Sequence, residues 1–222
     1  GWTVAISGRR ADKLADVAAT GSAIRPYRLD VTDSDGVAET VAAIVSDLGR
    51  IDLFIFGAAT WQPMAPGDYD FEKFFRIVDA NYLGLVRIAN PLLAQMERQG
   101  SGQFAVITSL AGYVGMPRAA AYSSSKSALI ALLETMRVEL APRRISVRMI
   151  APGFVKSELT ARNDFPMPLL METDEAARRI VDGLTQSDRF EIAFPRRMVW
   201  VMKAARCLPY PLFFRIMNRL AK

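Results

Sequence analysis

The sequence predicts an α/β fold, a doubly wound parallel sheet, followed by an amphipathic helical tail. Short, nearly all-apolar runs such as Ile51 to Phe56, Phe104 to Ile107 and Ile145 to Ile150 read as strands of a parallel sheet covered on both faces. Segments with apolar residues at helical spacing separate them. Polar groups suited to chemistry stand at strand ends and helix starts, where open α/β sheets bind ligands. With 222 residues and 51% hydrophobic content, the chain suits one domain with a sizeable core, spanning 1–194, and an extension at 195–222.

Gly1 to Gly8 reads as a short buried strand, and a helix follows from about Ala11 to Ala19 with Leu14 and Val17 on one face. Ile24 to Leu29 is the next strand. It leads into a helix capped by Thr32 or Ser34, with Asp33 and Asp35 favouring its N-terminus. Val37, Val41, Ile44, Val45 and Leu48 keep helical spacing, and Gly49 is a plausible stop. After Ile51 to Phe56, a turn-rich loop from Trp61 to Tyr69 borders the mouth of a cleft. Phe71 to Met96 is one long helical pattern with Pro91 as a kink. Gly112 to Arg118 joins the Phe104 strand to a helix at Ala121 to Leu140, and its Tyr113, Val114 and Met116 either face a ligand or pack. Glu158 to Met171 reads as a mobile lid rich in Leu, Met and Phe, suited to a hydrophobic ligand, although such segments also pack on the sheet. Thr173 to Glu175 caps a helix to about Leu184, and Phe190 to Phe194 is the last strand.

The chemistry centres on Tyr122 and Lys126, four residues apart and so on one side of a helix. Free tyrosine titrates near 10, and a neighbouring ammonium favours its phenolate. Ser109 ends the strand upstream, where a hydroxyl can hold a substrate oxygen beside that phenol. Taken alone, Y-x-x-x-K also fits a core-edge tyrosine with a solvated lysine. Three further features join it: Asn81 in NYLG, Ser109 in VITSLAG, and Pro152 with Gly153 in IAPGFVKS. In this order and spacing, from about Val4 to Lys156, the chain resembles the short-chain dehydrogenase/reductase family.

The resemblance implies a Rossmann-like fold and a hydride-transferring oxidoreductase acting on a carbonyl or secondary alcohol, which the apolar 158–171 segment suggests is hydrophobic. It implies catalytic roles for Asn81, Ser109, Tyr122 and Lys126, with Lys126 lowering the tyrosine pKa and Asn81 holding a water in a proton relay with Lys126. Asp30 and Val31 would lie against adenine, Gly57 and Ala58 against a ribose, Tyr122 and Lys126 at the nicotinamide side, and the turn of Pro152, Gly153 and Val155 at the nicotinamide. Where the family reads Asn-Asn-Ala-Gly, this chain has Gly57-Ala58-Ala59 after Phe56, a departure that touches cofactor affinity rather than proton transfer. After the first strand, Arg9 and Arg10 stand where an acid would bind a free ribose hydroxyl, so the pattern suits a 2′-phosphate and NADP(H), with NAD the alternative. The first strand, glycine-rich turn and helix of the family have no counterpart in the sequence, so the chain reads as N-terminally truncated. The other possibility is a non-catalytic binding or regulatory protein of the same fold, membrane-associated through its tail.

Histidine is absent and Cys207 is the single cysteine, which excludes histidine triads, a cysteine-rich zinc site and an internal disulfide. No metal site is expected. The net charge is +5, but residues 1 to 191 hold all 23 acidic and 21 of the 28 basic residues, and no acid follows Glu191. The basic excess therefore belongs to the tail, with no motif for nucleic acid. From Pro211 the residues Leu212, Phe213, Ile216, Met217 and Leu220 oppose Arg215, Asn218, Arg219 and Lys222. This amphipathic segment suits a peripheral membrane contact through 195–222, or packing on a partner subunit or the body. A cytoplasmic homo-oligomer, peripheral at a membrane or not, is the expectation.

Overall fold

In the computed structural model, which describes residues 1–220, strands and helices alternate from Val4 to Phe194. Strands β1 (Val4–Gly8) and β2 (Ile24–Arg28) pair in parallel across helix α1 (Ala11–Ala18). Four further parallel strands form a second sheet in the order β3 (Leu53–Phe56), β4 (Gly102–Ile107), β5 (Ile145–Pro152) and β6 (Glu191–Phe194). Side chains on β4 and β5 alternate between two cores, as a pleated strand requires. Phe104, Val106, Val147 and Met149 meet helices α4 (Gly84–Gln99) and α5 (Ala120–Leu140), whereas Ala105 and Ile150 meet helix α6 (Thr173–Thr185). The sheet is thus wound on both faces.

The expected buried first strand is instead largely open: Val4 is 43% exposed, and Ile55 of β3 is 41% exposed. Among the described residues, both strands have a hydrogen-bonded neighbour on one side only. Apolar composition reads as two-sided burial, but lateral cover depends on sheet order. Between β2 and β3, helix α2 (Ser34–Leu48) is capped by Asp33, whose carboxylate accepts from the Gly36 N–H, rather than by Thr32 or Ser34. Its stop, Gly49, has φ +79°, a conformation that favours glycine. Helix α3 (Phe71–Val78) begins at an Asp70 cap, Oδ1 accepting from Lys73 N at 2.8 Å. The single helix expected over Phe71 to Met96 is interrupted by a π-turn at Asp79–Leu83, before α4 resumes and carries Pro91 in its interior.

Beyond β6, helix α7 (Arg196–Arg206) lays Val199 into the main core, and Lys203 pairs with Glu191. Helix α8 (Tyr210–Leu220) turns Met217 inward, while Leu212 and Ile216, expected on the same face, stay exposed. The expectations for the Leu220 side chain and for Lys222 lie outside the described residues. Among those residues no helix is long and apolar enough to cross a membrane.

Candidate active site

The C-terminal ends of β3, β4 and β5 share one edge of the parallel sheet, and Gly57, Ala58, Ser109, Pro152 and Gly153 all follow or end those strands there. Ser109 caps a short 3₁₀ turn, Leu110–Gly112, its Oγ accepting from Ala111 N at 3.1 Å. The same hydroxyl acts on the Tyr122 phenol in the direction that lowers its pKa. Tyr122 lies in the first turn of α5 and Lys126 in the next. Close approach of α5 to the Ser109 turn requires Gly112, since a Cβ there would sit 2.9 Å from the Lys126 backbone carbon.

Lys126 is 1% exposed; its Nζ donates to the Ile107 carbonyl at 2.9 Å and lies 5.7 Å from the Tyr122 ring centroid. Burial pushes its pKa down to about 8. The Tyr122 phenol is pushed up by burial, with the Ser109 side chain acting in the opposite direction. The expected depression by Lys126 is therefore not the net result. The ammonium addresses the Ile107 carbonyl and the ring, a cation–π arrangement, while Trp61 packs edge-on against Tyr122 at 5.3 Å between centroids.

Asn81 sits in the π-turn, fully buried. Such turns recur at functional sites. Its Oδ1 accepts from Thr60 N at 2.6 Å, and its Nδ2 donates to Thr60 O at 3.0 Å and Ser125 Oγ at 3.2 Å. Ser125 in turn donates to the Tyr122 carbonyl at 2.7 Å. Asn81 thus ties the segment after β3 to α5 between Tyr122 and Lys126, with Ser125 rather than Lys126 as its direct partner.

Among the residues expected to hold a cofactor, Arg9 is largely exposed at the end of β1, 4.0 Å from Asp30, while Arg10 donates to Glu158 at 2.8 Å. That second contact joins the β1 end to the segment after β5. The Asp30 carboxylate accepts from Thr32 N at 3.0 Å and Thr32 Oγ1 at 2.8 Å, which holds its pKa below the usual range. Val31 packs on the main core and crowds Gly84, where a Cβ would lie 2.8 Å from Val31 Cγ2. Gly153 lies beneath α7: a Cβ there would meet Met198 Sδ and Pro195 Cδ at 3.0 Å. Val155 bridges in parallel to Met171, closing the base of the 158–171 segment.

Tyr113 does not face the site. It is buried, its hydroxyl donates to Glu191 on β6, and burial with that carboxylate raises its pKa. With Val114 it lines a cavity of about 310 Å³ between α5 and the tail helices, bordered by none of the four catalytic candidates. Nothing in the sequence singles out Thr60 and Ser125, whose partnership with Asn81 is set by tertiary folding, whereas Trp61, heading the loop expected to border the cleft, donates its Nε1–H to Asn163 at 2.9 Å. Trp61 opening the Pro-rich loop was the available signal.

A tyrosine one turn before a buried lysine, with a serine at the neighbouring strand end on the ligand edge of a doubly wound sheet, defines a nucleotide-dependent oxidoreductase. The chain belongs to the short chain dehydrogenase family, whose profile matches residues 1–165. It is 36% identical to an uncharacterized oxidoreductase of Myxococcus xanthus over 224 residues, covering 99% of this chain and 88% of that protein. It is 30% identical to a 3-oxoacyl-acyl-carrier-protein reductase of Thermotoga maritima over 139 residues, 63% of this chain and 56% of that one. A short chain dehydrogenase from Burkholderia cenocepacia, solved in complex with NADP, shares the fold with a TM-score of 0.83 at 22% identity, over 98% of this chain and 87% of that one. The protein is an NAD(P)-dependent dehydrogenase/reductase.

Proposed function

We propose that the protein moves a hydride between NADP(H) and the carbonyl or secondary-alcohol carbon of a hydrophobic small molecule. The observation that carries this reading is Tyr122 one helical turn before buried Lys126, whose Nζ lies 5.7 Å from the tyrosine ring, at the strand end that carries Ser109. Bound nicotinamide supplies the hydride chemistry. Ser109 holds the substrate oxygen. Tyr122, its pKa raised, stays protonated at neutral pH and donates to that oxygen during reduction. Asn81 fixes the spacing of the Thr60 segment and α5, keeping both groups in place.

The residues present fit a dinucleotide. An ammonium has three N–H donors, and Lys126 gives one to Ile107 among the described residues, leaving capacity for ribose hydroxyls. Exposed Arg9, with Arg10 beside it, suits a 2′-phosphate through bidentate hydrogen bonds. Asp30 and Val31 would border adenine, Gly57 and Ala58 a ribose, and Pro152, Gly153 and Val155 the nicotinamide.

Tyr122→Phe should lower NADPH-dependent reduction of a panel of hydrophobic ketones and aldehydes by at least about 100-fold, with unchanged circular dichroism. Unchanged turnover rules the mechanism out. Arg9→Gln should weaken NADPH binding by about tenfold or more while leaving NADH nearly unaffected. An equal loss for both cofactors removes the phosphate role.

A further inference from the structure

The tail keeps apolar side chains that the body does not cover. On α7, Val199 enters the core, while Trp200 and Val201 are 72% and 65% exposed. On α8, Met217 is buried, while Tyr210, Leu212, Phe214 and Ile216 are between 42% and 74% exposed. Tyr210 with Phe214, and Leu212 with Ile216, each lie one turn apart and form two ridges along the helix. Arg215 and Arg219 project between them.

Charge selects what covers these ridges. From residue 192 to 222 the sequence has seven basic residues and no acidic one. Among the described residues, Lys203 is the one of these paired with an acid of the body, Glu191. A second copy would bring the same sign of charge to the same face, so self-association there is disfavoured. An anionic bilayer answers both features. Its headgroups attract basic side chains, and its interface accepts tryptophan, tyrosine and aliphatic groups while arginines reach back to the phosphates.

We propose that residues 195–220 dock the protein peripherally on an anionic lipid bilayer. The inference stands apart from the hydride-transfer reading, because it uses no residue of the catalytic or cofactor set.

The test is co-sedimentation of the full chain with vesicles of phosphatidylcholine alone, or of phosphatidylcholine mixed with phosphatidylglycerol. Binding should be at least about tenfold stronger on the mixed vesicles and should weaken as salt rises. The triple variant Trp200→Ser, Leu212→Ser, Ile216→Ser should lose at least about tenfold of that binding. So should Arg196→Gln, Arg197→Gln, Arg215→Gln, Arg219→Gln, a second variant that spares the apolar ridges. All these positions are exposed, so both variants should keep the circular dichroism and NADPH affinity of the parent. Absence of binding to mixed vesicles overturns the proposal. So does full binding by the serine variant, which would show charge adsorption alone, or a dimer that this variant converts to monomer without any vesicle binding.

Discussion

Lys126 brings a positive charge to a site where it is 1% exposed, and the consequence is a pKa lowered from 10.5 to about 8 by burial. The unfolded chain holds that proton more tightly than the folded one. The burial cost, about 3 kcal/mol, is therefore present in full below pH 8 and fades as pH rises from there through 10.5. Lys126→Met should remove it at the expense of an unpaired Ile107 carbonyl, worth about 1 kcal/mol. The expected outcome is a gain of about 2 kcal/mol at pH 7, with reductase activity lost. Urea unfolding at pH 7 and pH 10 checks this: the gap between variant and parent should narrow at the higher pH, and a constant gap refutes the account. The positions of Tyr122, Lys126 and Ser109 were legible in the sequence because helix pitch and a strand end suffice to place them. The direction of the tyrosine shift was not, because it depends on what buries the phenol, and Trp61 arrives from a loop sixty residues upstream.

Among the elements, α7 is fastened by Glu191 on β6, which accepts from Tyr113 on one side and Lys203 on the other. Tyr113 belongs to the segment that follows the Ser109 turn, so one carboxylate links the tail to the active-site loop. Glu191→Gln leaves Lys203 without its counter-charge and should cost about 1–2 kcal/mol of stability. Proteolysis should then begin in residues 196 to 206; an unchanged digestion pattern would show that Val199 and Met198 suffice to hold α7. Sequence periodicity gave α7 and α8 no such anchor, and it left Tyr113 either facing a ligand or packing, because a loop aromatic looks the same whichever way it turns. The π-turn escaped notice for a related reason. Its extra residue rotates α4 by about 100° relative to an unbroken helix, a shift that an apolar pattern this broad does not display, and Asn81 within it meets Thr60 and Ser125.

At the scale of the whole molecule, the alternating apolar runs made the doubly wound architecture legible, since β4 and β5 are buried on both faces as their composition implies. The separation of β1 and β2 from the other four strands accords with the sequence too, which holds no counterpart of the first, central strand of the family it resembles. The β1–α1–β2–α2 unit, which presents Arg9, Arg10 and Asp30, shares no backbone ladder with the remainder of the described residues. It is held through side chains: Leu29 and Val37 in the main core, Arg87 bound to Ser34 and Asp79, and Arg10 on Glu158. Side-chain attachment without a common ladder favours sub-global opening, in which one unit detaches while the other stays folded. Amide hydrogen exchange should accordingly divide the protein into two cooperative units, with β1 and β2 exchanging at a lower free energy than β4 and β5. Saturating dinucleotide, by bridging the two, should bring their protection together.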